Sequence, residues 1–138
     1  LSDPAMVENF KTNYNQLLRR GVDLLFCNHD EARLLTGAES IEDCVAALKE
    51  ICNTFVITCG KAGSVSFDGQ DLRTAAGVPT KAVDTTGAGD IFAGAFLHSL
   101  CRGVGFSEAN ELANKFSSKL VSRFGARLTQ KEVDTLVK

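Results

Sequence analysis

Asp84-Thr85-Thr86-Gly87-Ala88-Gly89-Asp90, running on into Ile91-Phe92-Ala93-Gly94-Ala95-Phe96, is the stretch that decides how this chain is read. Thr80 to Val83, just upstream, has the character of a short strand, and Ala88 to Arg102 is apolar and helix-favouring. The glycines therefore fall where a strand turns into a helix. Gly87, Ala88 and Gly89 have small or absent side chains, so their N–H groups can approach an anion closely. A helix start adds unpaired donors and a favourable dipole, an arrangement suited to phosphoryl oxygens. Asp90, in the same turn, is placed to take a proton from a hydroxyl attacking beside that anion. The competing reading is a plain glycine turn in which Asp90 merely meets the dipole; the flanking Asp84, Thr85 and Thr86 favour the anion site. The apolar helix that follows, with small residues at Ala93, Gly94 and Ala95, is expected to be buried against a sheet, with His98 packed inside.

Working outward, Val22 to Cys27 (VDLLFC) and Thr54 to Thr58 (TFVIT) are short apolar runs, as expected of strands buried on both faces. Val7, Phe10, Tyr14, Leu17 and Leu18 recur at helical spacing before Gly21, with Pro4 in the first turn and Ser2 or Asp3 as cap. Asn28 to Leu35 predicts a helix closed by Gly37. Ser40 caps another, with an apolar stripe at Ile41, Cys44, Val45, Leu48 and Ile51. Gly60 to Gly63 reads as a tight turn. Ser64–Asp68, Asp71–Ala75 and Thr80–Val83 read as three short strands. A helix over about Ser107–Arg123, capped by Ser107, and a shorter one over Thr129–Val137 complete the chain. Alternating strands and helices imply an α/β layer fold with a parallel or mixed sheet, the short strands forming an antiparallel insertion or edge.

The chain has 138 residues, 44% hydrophobic and 23% charged, which suits one globular domain. Fifteen basic and seventeen acidic residues give a net charge of -2, scattered rather than blocked, so nothing points to a nucleic-acid surface. No apolar run reaches membrane-spanning length, and no secretory signal is visible. The five cysteines (Cys27, Cys44, Cys52, Cys59 and Cys101) form no Cys-x-x-Cys pair and have no histidine at zinc-ligand spacing. They read chiefly as buried apolar residues in a reducing cytosol, a catalytic thiol being the minor alternative. The sequence contains neither a Walker-type loop nor Gly-x-Gly-x-x-Gly. It opens Leu1-Ser2-Asp3-Pro4 without an initiator methionine, which reads as the middle of a longer polypeptide.

Asp84 to Asp90 with Ile91 to Phe96 resembles the C-terminal signature of the PfkB, or ribokinase-like, family of carbohydrate and nucleoside kinases. Asn28-His29-Asp30-Glu31 is similar to that family's Asn-x-x-Glu motif. Thr58-Cys59-Gly60-Lys61-Ala62-Gly63-Ser64 resembles its Thr-x-Gly-x-x-Gly nucleotide loop. Ala113-Asn114 and Gly125-Ala126 resemble the helix and turn that close its adenine pocket and cation loop. The opening residues and Val22–Asn28 look most like adenosine-kinase-like members.

The resemblance implies a three-layer ribokinase-like sheet with helices on both faces, of which residues 1–138 are a single C-terminal, nucleotide-binding portion. It implies ATP as co-substrate and a sugar or nucleoside as acceptor. Asp90 would be the catalytic base, and Gly87, Ala88 and Gly89 the anion hole. Thr58, Gly60 and Gly63 would wrap the nucleotide, with Asn114 near the adenine. Asn28 and Glu31 would organise Mg2+, largely through water. Asp84, Thr86 and the Gly125 turn would line a K+ site, although Arg127-Leu128 departs from the family's usual pattern there.

Residue by residue, plainer readings stand beside these. Asn28 is equally a helix cap, Glu31 a solvated helix residue, the Gly60–Gly63 segment a hairpin turn and Asn114 a solvated helix position. The leading expectation is ATP-dependent phosphorylation of a sugar or nucleoside hydroxyl in the cytoplasm, without nucleic-acid or membrane partners. The alternative is a non-catalytic nucleotide- or phosphate-binding module lacking an acceptor site. A truncated sheet would expose apolar surface, through which a homodimer is expected.

Overall fold

The computed structural model describes residues 4–137. Ser2 and Asp3, the expected first caps, lie outside them. The chain divides into two compact units. One comprises residues 1–59 and 66–72; the other comprises residues 60–65 and 73–138.

In the first unit, α1 (Pro4–Asn9) and α2 (Lys11–Arg19) replace the single helix expected before Gly21, because Phe10 leaves helical dihedrals at φ -118°, ψ 21°. Val7 and Leu18 are buried, whereas Phe10 and Leu17 are half exposed. β1 (Leu24–Asn28) is followed by α3 (His29–Thr36), α4 (Ile41–Lys49) and β2 (Thr54–Thr58). β1 and β2 pair in parallel, Leu24 opposite Thr54 through Asn28 opposite Thr58. A parallel pair needs a long crossover, which α3 and α4 supply. Ser40 caps α4 as expected, its hydroxyl accepting the Asp43 amide at 3.1 Å. Gly37 ends α3 at φ 79°. The core gathers Leu35, Leu48, Phe55, Val56 and Ile57, all at most 1% exposed, and each such burial stabilises by about 1.5–3 kcal/mol. Phe55 and Phe67 lie 5.4 Å apart between ring centres, with the Lys49 ammonium 4.6 Å from the Phe67 centroid.

A 3₁₀ turn over Gly60–Ala62 leads into β3 (Gly63–Phe67) and β4 (Leu72–Ala76). The sheet order is β1-β2-β3-β4. The four-residue connections from β2 to β3 and from β3 to β4 are too short for the crossover that a parallel pair needs.

The second unit is dominated by α5 (Ala88–Cys101) packed on α6 (Phe106–Val121), with α7 (Gln130–Leu136) beside α6. Phe92, Ala95, Phe96 and Ser99 form the buried stripe of α5, and the Phe96 ring meets Phe106 edge-on at 5.1 Å. Two expectations are corrected here. α5 is buried on one face only, with Gly94, Leu97 and His98 exposed, so His98 is not a packed core residue. α6 begins one residue early, at Phe106 with Gly105 as its N-cap rather than Ser107, which places Phe106 in the first turn against Phe96.

Thr80–Val83 is not a strand. The Val83 and Asp84 amides both donate to the Val121 carbonyl at the end of α6, at 2.7 and 3.3 Å, and the Thr80 hydroxyl pairs with Ser118 at 2.8 Å. Helix-end bonds take the place of a ladder. Thr129 and Glu132 form a capping box for α7, and Arg123 binds the Glu132 carboxylate at 2.9 Å.

Candidate active site

Gly87 is the N-cap of α5, at φ 78° and ψ 4° in the left-handed region. A Cβ there would stand 3.0 Å from the Ala126 Cβ and 3.2 Å from the Ala126 carbonyl oxygen. Conformation and space both require glycine at this position. No side chain caps α5. The Ala88 amide is spent on the Thr85 carbonyl at 3.1 Å. The amides of Gly89 and Asp90, in the first turn, have no intrahelical partner by the geometry of any helix start. A Cβ on Gly89 would meet nothing within 4 Å, so no side chain is packed against that position. Asp90 is exposed, and its carboxylate makes no hydrogen bond or ion pair among the described residues.

Hydrogen bonds from both sides hold the turn. Asp84 accepts the Thr86 amide at 2.9 Å on one oxygen and the Gly125 amide at 3.1 Å on the other. Its carboxyl is held below the ordinary aspartate range, first by the Thr86 amide, then by the Thr86 side chain and the Gly125 amide. The Ser117 hydroxyl on α6 donates to the Ala88 carbonyl at 2.8 Å.

The Gly60–Gly63 loop has a different construction. Gly60 sits at φ 55° with nothing near its Cβ position, whereas a Cβ on Gly63 would collide with the Ala75 carbonyl and lie 2.5 Å from the Gly77 nitrogen. Gly77 is equally pressed against the Lys61 carbonyl, and its amide donates to Ala62 at 3.2 Å. Gly63 is thus required by a contact within the protein, and Gly60 alone faces open space. Asn114 is buried, its side-chain amide donating to the Ser64 hydroxyl at 2.6 Å, so the solvated-position reading of it fails.

In the first unit, Asn28 ends β1 and caps α3. Its side chain accepts the Glu31 amide at 2.8 Å while the Glu31 carboxylate accepts the Asn28 amide at 2.9 Å, a reciprocal capping box. Glu31 is only 2% exposed, so it is no solvated helix residue. Thr58 ends β2 directly opposite Asn28 in the register. No cluster of three or more His, Cys, Asp or Glu side chains able to hold a metal occurs among the described residues.

All five cysteines are free. Cys27, Cys44 and Cys52 are buried, and desolvation raises the thiols of Cys27, Cys52 (to about 11) and Cys59. These three are poor nucleophiles. Three residues that shape these segments escaped the sequence reading: Gly77, Asn110 and Ser117. For Gly77 the only visible signal was a glycine near a turn, and Asn110 and Ser117 had none.

The profile described as pfkB family carbohydrate kinase matches residues 1–132. The chain belongs to that family. This pfkB chain is 34% identical over 106 residues to a ribokinase of Lactococcus lactis, covering 77% of itself and 34% of that protein. Among solved structures it resembles the adenosine kinase of Sinorhizobium meliloti at TM-score 0.88 and 31% identity, covering 93% of this chain and 40% of that one. It also resembles the Arabidopsis thaliana ribokinase complexed with ribose and ATP, at TM-score 0.77 and 30% identity, covering 90% and 43%. The fold is therefore ribokinase-like, and the chain spans well under half the length of these relatives. No helix among the described residues is long and apolar enough to cross a membrane.

Proposed function

We propose that this pfkB chain is a single C-terminal, nucleotide-binding portion that carries the ATP site and the catalytic base of a kinase phosphorylating a hydroxyl of a sugar or nucleoside. The observation that carries this reading is the start of α5. Gly87 is locked against Ala126, the helix has no side-chain cap, a Cβ on Gly89 would meet nothing within 4 Å, and Asp90 sits in the first turn. The Gly87, Gly89 and Asp90 amides would receive the γ-phosphoryl oxygens, with Ala88 contributing through the turn it closes with Thr85.

Asp90 would accept the proton of the attacking hydroxyl as that oxygen bonds to the γ-phosphorus and the bond to the β-phosphate oxygen breaks, leaving ADP. Catalysis here is mainly positioning and charge stabilisation. Thr58, Gly60 and Gly63 would wrap the nucleotide, Gly60 by open backbone and Gly63 by fixing the loop.

Asn28 and Glu31 fit Mg2+ held through water. The capping box occupies Asn28 Oδ1 and one Glu31 oxygen, and the remaining carboxylate oxygen suits an ion that keeps its hydration shell. When bound, Mg2+ would neutralise phosphate charge. A K+ ion would sit at Asp84 and Thr86, where each Asp84 oxygen already takes one amide and keeps a further lone-pair direction. Five free thiols suit the reducing cytoplasm.

A second reading, a nucleotide-binding module without turnover, is favoured by the short span relative to full-length relatives. Calorimetry with a non-hydrolysable ATP analogue, alongside ADP-release assays using ribose, cytidine and adenosine, separates the two. Analogue binding with acceptor-dependent ADP release supports the kinase. Binding without turnover supports the module, and no binding removes both.

A further inference from the structure

We propose that Ser64, Asn110 and Asn114 form a buried polar latch that fixes the Gly60–Gly63 loop on α6 and so sets the affinity for ATP; this rests on the kinase reading above. The Ser64 hydroxyl donates to the Asn110 side-chain oxygen at 2.6 Å and accepts from Asn114 Nδ2 at 2.6 Å. Asn114 Nδ2 also donates to the Asn110 carbonyl at 3.1 Å. The three residues are 2%, 0% and 8% exposed. Both hydrogens of the Asn114 amide are therefore spent inside the protein. Asn114 acts on the nucleotide as a positioning residue, through the loop, and not by donating to the base.

Burying three polar side chains is costly unless each finds its partners, and apolar residues would fill the space more simply. What the network adds is a defined orientation. Ser64 directly follows Gly63, whose backbone is pressed against Ala75 and Gly77. The loop is thus held on one side by β4 and the residue after it, and on the other by α6. With the glycine contacts alone, the loop could still pivot about Gly63. The hydroxyl at position 64, reaching two side chains 46 and 50 residues away, removes that freedom.

The test titrates a non-hydrolysable ATP analogue into the unaltered chain and its variants by calorimetry, with melting temperature recorded in parallel. Ser64→Ala, which removes both hydrogen bonds of the hydroxyl, is expected to bind about tenfold more weakly. Ser64→Thr, which keeps the hydroxyl, is expected within about threefold of the unaltered chain. A merely structural role would lower the melting temperature and leave the affinity alone. Ser64→Ala binding within about twofold of the parent therefore overturns the latch, as does Ser64→Thr binding as weakly as Ser64→Ala. Should Ser64→Ala fail to fold, Asn110→Ala, which leaves the Ser64–Asn114 bond in place, is read by the same criterion. No binding by the unaltered chain overturns the kinase reading and the latch with it, whereas parental binding undiminished in the variants overturns the latch alone.

Discussion

The Asp84 carboxylate accepts the Gly125 amide at 3.1 Å across 41 residues of chain, and with its other oxygen holds the Thr86 amide at 2.9 Å. One side chain thereby joins the approach to α5 to the turn after α6. The bonds form to the ionised carboxylate, so the folded-state pKa lies below the ordinary value of 3.8, with the Thr86 amide the largest cause. A lowered pKa means the tether is fully present above the unfolded value and is lost as pH falls through the folded one. The Thr86 and Gly125 amide resonances should titrate together, with a midpoint below 3.8. A midpoint at or above that value, or two unrelated midpoints, would remove the tether.

Gly87 and Gly89 are two positions apart yet should respond oppositely to substitution. Gly87→Val combines a left-handed φ of 78° with a Cβ 3.0 Å from Ala126 and should destabilise by roughly 1–3 kcal/mol, lowering the melting temperature and weakening analogue binding. Gly89→Ala enters a helix with free space and should gain up to about 1 kcal/mol. Its methyl group nevertheless stands before the first-turn amides, so analogue affinity should fall while the melting temperature holds or rises. Analogue affinity unchanged in Gly89→Ala would refute the anion site.

Asp90 has no structural partner among the described residues, so replacing it should leave the fold untouched. Asp90→Asn, assayed in whatever acceptor-active form of the enzyme is found, should lower turnover by about 10²–10⁴-fold while the ATP-analogue dissociation constant moves only a few-fold. Unchanged turnover would take Asp90 out of the chemistry.

The thiols should separate cleanly under alkylation. Cys101 is exposed, Cys27, Cys44 and Cys52 are buried, and desolvation raises Cys27, Cys52 and Cys59. Iodoacetamide at pH 8 should label Cys101 first and reach Cys27 and Cys44 only on unfolding, as read by peptide mass spectrometry. Early labelling of Cys27 would contradict its burial.

Where local chemistry and tertiary structure agree, the sequence was readable. The VDLLFC and TFVIT runs read as buried strands, and β1 and β2 lie within one or two residues of them, β2 buried along its middle and β1 only at alternate positions. Asn28 and Ser40 each announced a helix through capping chemistry that the structure realises. The break of the first helix at Phe10 is local, whereas other misreadings concern partners distant in sequence. Thr80–Val83 had strand composition, but its donors are claimed by Val121. Ser107 had the right side chain for a cap, but the helix starts at Phe106, which packs on Phe96. That Gly63 is required by Ala75 and Gly77 within the protein was not visible in the sequence. The bond from Ser64 to Asn110 spans 46 residues and leaves no periodic trace.

The interlocking of Gly63 with Gly77 limits how this turn can be altered. Main chain against main chain admits no compromise, so randomising either glycine would yield mostly misfolded clones. Lys61 and Ala62, both exposed on the same short turn, carry no such restriction. A library across this turn would do best to vary those two residues and leave Gly63 and Gly77 untouched.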